Sequence, residues 1–169
     1  MLMKTEKKGN LYKLSIFLTL CFLVALDLWT KNIAVSSLSL GSNEEFVLPF
    51  IDLLLLYNSG IAFGVLDNNN QFQTYGLLII GTIIVSYILY LAFRETSYKK
   101  MLGFTIIAGG ALGNIIDRAI NGYVTDFLHL KINNFSFFIF NMADAFITIG
   151  AILIIYFELK TNSHDAETN

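Results

Sequence analysis

One cysteine, one proline, two histidines and only 14% charged residues in 169 put several kinds of protein out of reach. Cys21 has no second cysteine to meet, so no internal disulfide can form, and Cys/His metal-ligand spacing is missing. Neither a metal nor another cofactor is expected. No basic stripe is present, which excludes nucleic acid as an expected partner. Ser59 and Ser136 show no nearby base, so serine-nucleophile chemistry is poorly supported, and His129 reads as a solvent-facing strand residue. Charge is scarce where a soluble domain carries about 25%. Instead, 55% of the chain is hydrophobic and its mean hydropathy is +0.62. One compact unit over residues 1–169 is expected, with lipid as its solvent.

Four apolar stretches approach the roughly 20 residues a spanning helix needs. They run from about Leu11 to Leu28, Tyr75 to Phe93, Met101 to Ile116, and Asn141 to Leu159. The basic residues set the orientation. Eight (Lys4, Lys7, Lys8, Lys13, Arg94, Lys99, Lys100 and Lys160) fall on one side, and three (Lys31, Arg118 and Lys131) on the other. Both termini are therefore expected in the cytoplasm, with residues 1–10 and the acidic tail over 160–169 disordered. The first span has a signal-peptide-like form, and Leu18 to Cys21 is a loose lipoprotein cleavage box. However, Leu20 is bulky where a small residue is wanted, and the apolar run continues to Leu28, so an uncleaved helix is favoured.

This topology gathers five polar clusters at one outer boundary: Asp27/Lys31, Asn58, Asn114/Asp117/Arg118, Asp126 and Asn141/Asp144. Ionisable groups near lipid are costly, so each is a candidate for function. The segments between spans carry strand signals. Leu128 to Ile132 alternates, Asn133-Asn134 can turn, and Phe135 to Phe137 follows, which predicts a hairpin. Glu45 to Tyr57 is also apolar and β-branched, with Pro49 arguing against a central strand there. Asn58-Ser59-Gly60 marks a turn, and Asp67 to Gln71 a polar loop. A small β-platform on the outer membrane surface is expected, its apolar residues against lipid or a lipid-bearing substrate. Trp29 and Tyr57 fit an interfacial aromatic belt.

Each cluster has a bland reading beside the chemical one. Asp27 and Lys31, four apart, suit an ion pair. Gly109 and Gly113 share a face that invites close helix packing, and Asn114, Asp117 and Arg118 extend it. Asp117 and Arg118 could simply neutralise one another and tie down loops, or touch substrate. Asn58 before Gly60 could be a turn residue or a donor to substrate backbone. Asp144 lies one turn inside an apolar run on the face of Asn141, where a helix N-terminus stabilises a carboxylate. Asp126 stands among Val124, Phe127 and Leu128 with no neighbouring cation, so desolvation should let it hold a proton. Two such acids sharing one proton can activate water and polarise a carbonyl. Asp126 with Asp144 is the preferred pair, with Asp117 and Asp27 as competitors.

Five short motifs in order now stand out: D-x-x-T-K over Asp27 to Lys31, N-S-G-I-A-F over Asn58 to Phe63, G-G-A-L-G-N-I-I-D-R over Gly109 to Arg118, V-T-D-F over Val124 to Phe127, and F-N-M-A-D over Phe140 to Asp144. Over nearly its whole length the chain resembles the lipoprotein signal peptidases (signal peptidase II). The resemblance implies a membrane α-helical fold of four transmembrane helices with a small extracytoplasmic β-cradle. It also implies one integral-membrane aspartic peptidase domain in the bacterial cytoplasmic (inner) membrane, expected as a monomer. The catalytic acids it implies are Asp126 and Asp144. Substrate-binding or supporting roles fall to Asp27, Lys31, Asn58, Gly60, Asn114, Asp117, Arg118 and Asn141. Its partners would be diacylglyceryl-prolipoproteins, cut before the lipidated cysteine, membrane lipid, and globomycin-type inhibitors. Two departures are Ile61, where alanine is usual, and Leu28-Trp29 after the first aspartate. The competing readings are a small proton-coupled transporter, a presenilin-like protease and a structural subunit. A transporter would set its polar groups at mid-depth on broken helices, and no G-x-G-D motif supports the second.

Overall fold

The computed structural model describes the backbone over residues 2–60, 71–132 and 135–167, and the side chains over 9–60, 72–132 and 135–160. In chain order the elements are α1 (Leu2–Ser37), β1 (Asn43–Glu45), β2 (Ile51–Asn58), α2 (Gln71–Arg94), α3 (Tyr98–Asn121), β3 (Val124–Ile132), β4 (Phe135–Phe140) and α4 (Met142–Glu167). The stretches 1–10 and 160–169 carry helical backbone from Leu2 and up to Glu167. Once a helix is nucleated, each further residue adds a hydrogen bond.

Among the described residues three helices are long and apolar enough to cross a membrane, over Gly9–Ser37, Phe72–Arg94 and Met142–Lys160. The fourth expected crossing, α3, falls short of that measure because its glycines, Asn114 and Asp117 dilute its hydropathy. The composition suits its place. α3 packs against α1, α2 and α4 at once, so Met101, Thr105, Ala108 and Gly109 are covered by protein. On α1, α2 and α4 the pattern inverts: Phe17, Phe22, Ile79, Ile83 and Ile152 are each more than half exposed. Hydrocarbon is as apolar as such side chains, so packing rather than the hydrophobic effect must hold the helices together.

Small residues supply that packing where the polar groups lie. A Cβ on Gly110 would run into the carbonyl of Ala143 in α4, and one on Gly113 into the carboxylate of Asp27 in α1. Three helices therefore meet within one turn of α3. Gly122, with φ 83°, ends α3 in a left-handed turn, its N–H donating to the Arg118 carbonyl at 2.9 Å. That turn reverses the chain into β3.

The strands form one antiparallel sheet in sequence order. The expected hairpin is β3 with β4, Ile132 opposite Phe135; its turn, Asn133-Asn134, lies outside the described residues. β3 begins at Val124, four residues before the alternating run, because it also pairs with β2 through Asn58↔Val124 and Leu56↔Asp126. Asp126 thus sits on an internal strand. Pro49 falls in the connection before β2, where its missing N–H costs the ladder nothing. The loop over 67–70 and Ile61 lie outside the described residues. Leu55 and Phe127 pack on Ala34 and Met142, which seats the sheet on the ends of α1 and α4.

Candidate active site

The start of α4 builds the first half of the site. Asn141 precedes the helix, and its Oδ1 accepts from the Asp144 N–H at 3.1 Å while Asp144 Oδ2 accepts from the Asn141 N–H at 3.2 Å. This reciprocal cap satisfies two of the N–H groups every helix start leaves open. It also fixes which way the Asn141 amide points. With Oδ1 committed to the helix, Nδ2 faces outward and donates to Asp126 Oδ1 at 2.7 Å. One fully buried residue therefore holds both carboxylates.

Asp126 takes a second amide proton at its other oxygen, from Asn58 Nδ2 at 3.0 Å. Asn58 is set by its own turn, its Oδ1 accepting the Gly60 N–H at 3.0 Å. Asn58 is thus a turn residue whose free amide N–H goes to Asp126. Burial pushes the Asp126 carboxyl up to about 6; the charge on Asp144 adds to the rise, and the two amides oppose it.

Behind this pair lies a charged knot. Lys31 Nζ donates to Asp27 Oδ2 at 2.8 Å and to Asn114 Oδ1 at 2.7 Å, and stands 3.4 Å from Asp117. Asp27 is fully buried, its other oxygen taking the Ala143 N–H at 2.9 Å. Breaking a buried pair of this kind typically costs about 3–5 kcal/mol, since one charge is left uncompensated. Lysine can only donate, so Asn114 must turn Oδ1 toward it. Asn114 Nδ2 then points at Asp144 Oδ1, 2.9 Å away.

Asp117 and Arg118 form no direct ion pair with one another among the described residues. Successive helical residues point 100° apart, and each ties down a different segment. Asp117 accepts from the Thr125 N–H at 2.7 Å and from Asn121 at 2.8 Å, which anchors the start of β3. Arg118 donates to the carbonyls of Asn58 and Gly60, and its Nε has no partner among the described residues.

Asp126 and Asp144 open into one cavity of about 630 Å³, with Asn58, Asn114 and Arg118 also on its wall. Below them the wall turns apolar through Leu77, Ile80 and Ile84 of α2 and Ile147 of α4. α2 and α4 both pack on α3 and leave this groove between them. A polar roof over an apolar trough suits a substrate with a peptide bond above and hydrocarbon below. Asp27 and Asp117 are not on the cavity wall.

The sequence did not reveal Thr125, Asn121 or Ala143, whose backbone or amide groups make the supporting bonds, because most residue types would read alike there. The view that Ser136 lacks a base is corrected: His129 Nε2 stands 2.7 Å from its Oγ, across β3 and β4. The pair lies seven residues apart and does not line the aspartate cavity.

Comparison with known proteins gives this geometry a context. Residues 19–160 match the family described as Signal peptidase (SPase) II. The lipoprotein signal peptidase of Mesorhizobium japonicum is 42% identical, over 80% of this chain and 80% of that protein. That of Bartonella henselae is 40% identical over 92% of each. A solved bacterial membrane enzyme superposes with a TM-score of 0.77 at 33% identity, covering 89% of this chain and 90% of the other.

Proposed function

This chain belongs to the signal peptidase II family of lipoprotein-processing membrane proteases, and we propose that it cuts diacylglyceryl-prolipoproteins before the lipidated cysteine, with water activated by Asp126 and Asp144. The observation that carries this reading is Asn141, which hydrogen-bonds both carboxylates at the mouth of one cavity. A proton-coupled transporter has no comparable support, since the matched relatives are proteases.

The two acids differ in their surroundings, which divides the labour. Asp144 accepts from an amide that Lys31 orients, and this fixes it in place as the general base. Asp126, pushed up to about 6 by burial, is the member that holds the shared proton. Asp144 takes a proton from water as the oxygen attacks the scissile carbonyl carbon. Asp126 gives its hydrogen bond, then its proton, to the carbonyl oxygen. Collapse of the tetrahedral intermediate breaks the C–N bond as the proton on Asp144 passes to the leaving amine of the cysteine and one hydroxyl proton of the gem-diol returns to Asp126. Arg118 and Asn58 hold the turn at the cavity rim and can meet the substrate backbone.

In the membrane this reading has four crossings, with α3 enclosed by the other three. Both termini are cytoplasmic, and the sheet forms an outer cradle over the aspartates. The substrate's acyl chains lie along the trough of Leu77, Ile80, Ile84 and Ile147, which anchors the peptide bond at the roof. Globomycin-type cyclic peptides should compete for the same cavity. The test compares a diacylglyceryl precursor with the same precursor unlipidated, reading the new N-terminus by mass. Strong preference for the lipidated form and a cut before its cysteine are expected. Equal rates on both would overturn the assignment of the trough.

A further inference from the structure

A second cavity, of about 350 Å³, opens at the other end of the bundle, between the start of α1 and the connection from α2 to α3. Its floor is apolar: Ile16, Ala92 and Met101 are each no more than 2% exposed. Its rim carries two exposed cations, Lys13 and Arg94. Neither forms an ion pair with a carboxylate among the described residues. Arg94 lies 6.0 Å from the Tyr90 ring centroid, a contact that uses up no N–H donor. Glu95 also lines the cavity, but its Oε1 is engaged by the Thr96 and Ser97 N–H groups, each at 2.8 Å. Of the other described cations at this end, Lys100 pairs with Glu158 and Lys99 lies over the Phe157 ring.

We propose that this cavity binds an anionic glycerophospholipid, with its phosphate between Lys13 and Arg94 and its upper acyl carbons against Tyr12 and Phe93, above the Ile16 and Ala92 floor. Charge complementarity and polarity both point to this occupant. A free phosphate would satisfy the rim but gain nothing from the floor, and an uncharged lipid would do the reverse. The site lies where the membrane-crossing segments of α1 and α2 reach their ends, at headgroup height, where phospholipid is the most abundant anion. Phe93, half exposed on the cavity edge, continues the apolar surface toward the bilayer.

The test is native mass spectrometry of the full chain in mild detergent, titrated with phosphatidylglycerol or with phosphatidylcholine. Each basic residue near a headgroup is worth about fivefold in binding. The wild type should therefore retain phosphatidylglycerol well over tenfold better than phosphatidylcholine. The doubly substituted Lys13→Gln/Arg94→Gln protein should lose that preference, while Lys99→Gln and the charge-conserving Lys13→Arg/Arg94→Lys protein should keep it. Equal retention of the two lipids by wild type would overturn the proposal without recourse to any variant. So would a preference that survives the double substitution, or displacement of phosphatidylglycerol by inorganic phosphate, which would make this a small-anion site.

Discussion

Asp27 and Asp126 are both buried aspartates at the same end of one helical bundle, yet their partners differ in kind. Asp27 faces a lysine and a backbone N–H, and lies behind the cavity wall. Asp126 faces two neutral amides and opens into the cavity. A carboxylate whose two oxygens are taken by a lysine and a backbone N–H behind the wall serves the fold. One held only by amides keeps its geometry while its proton can come and go. The proposed division between support and chemistry rests on this contrast, which spacing along the sequence left open.

The contrast makes its largest prediction for turnover. Asp126→Asn and Asp144→Asn should each lower kcat at least about 10³-fold while the protein still inserts and unfolds near the wild-type temperature. Lipopeptide cleavage beside thermal unfolding in detergent checks both halves. Asp27→Asn should behave the other way round. It leaves Lys31 with less compensation and should destabilise by about 3–5 kcal/mol, yet turnover per folded molecule should stay within roughly tenfold. A folded but inactive Asp27→Asn protein would erase the distinction.

A smaller effect is expected in the pH profile. kcat/KM reports the free enzyme, so it should fall as pH rises through the Asp126 value, about 6. Asn58 donates to Asp126 and lowers that value, so Asn58→Leu raises it and moves the fall to higher pH. A shift toward lower pH would reverse the roles given to the two acids. Smallest of all is Glu158→Gln, which removes the pair with Lys100 at the far end. Such a solvent-screened pair should add little to stability, and cleavage should not change.

The sequence made the helices and the polar clusters legible through physical signals that survive without coordinates. Long apolar runs mark helices, basic residues mark a side, and Asn141 with Asp144 three residues later marks a cap. It also made α3 legible as a packing helix through Gly109 and Gly113. It favoured Asp126 over Asp117 only because Arg118 stands beside Asp117 and no cation stands beside Asp126, which left Asp117 a competitor. What divides them is a contact with Thr125 for one and an open cavity for the other, and neither has a local sequence signature. The same holds for Ser136 and His129, seven residues apart and joined only by the hairpin.

Infrared titration of carboxyl groups in the intact enzyme tests the shared proton most directly. The account predicts a protonated carboxyl signal that disappears near pH 6, at the Asp126 value, and is missing in Asp126→Asn. A signal that titrates unchanged in Asp126→Asn, or full ionisation of every carboxyl already below pH 5, would contradict it.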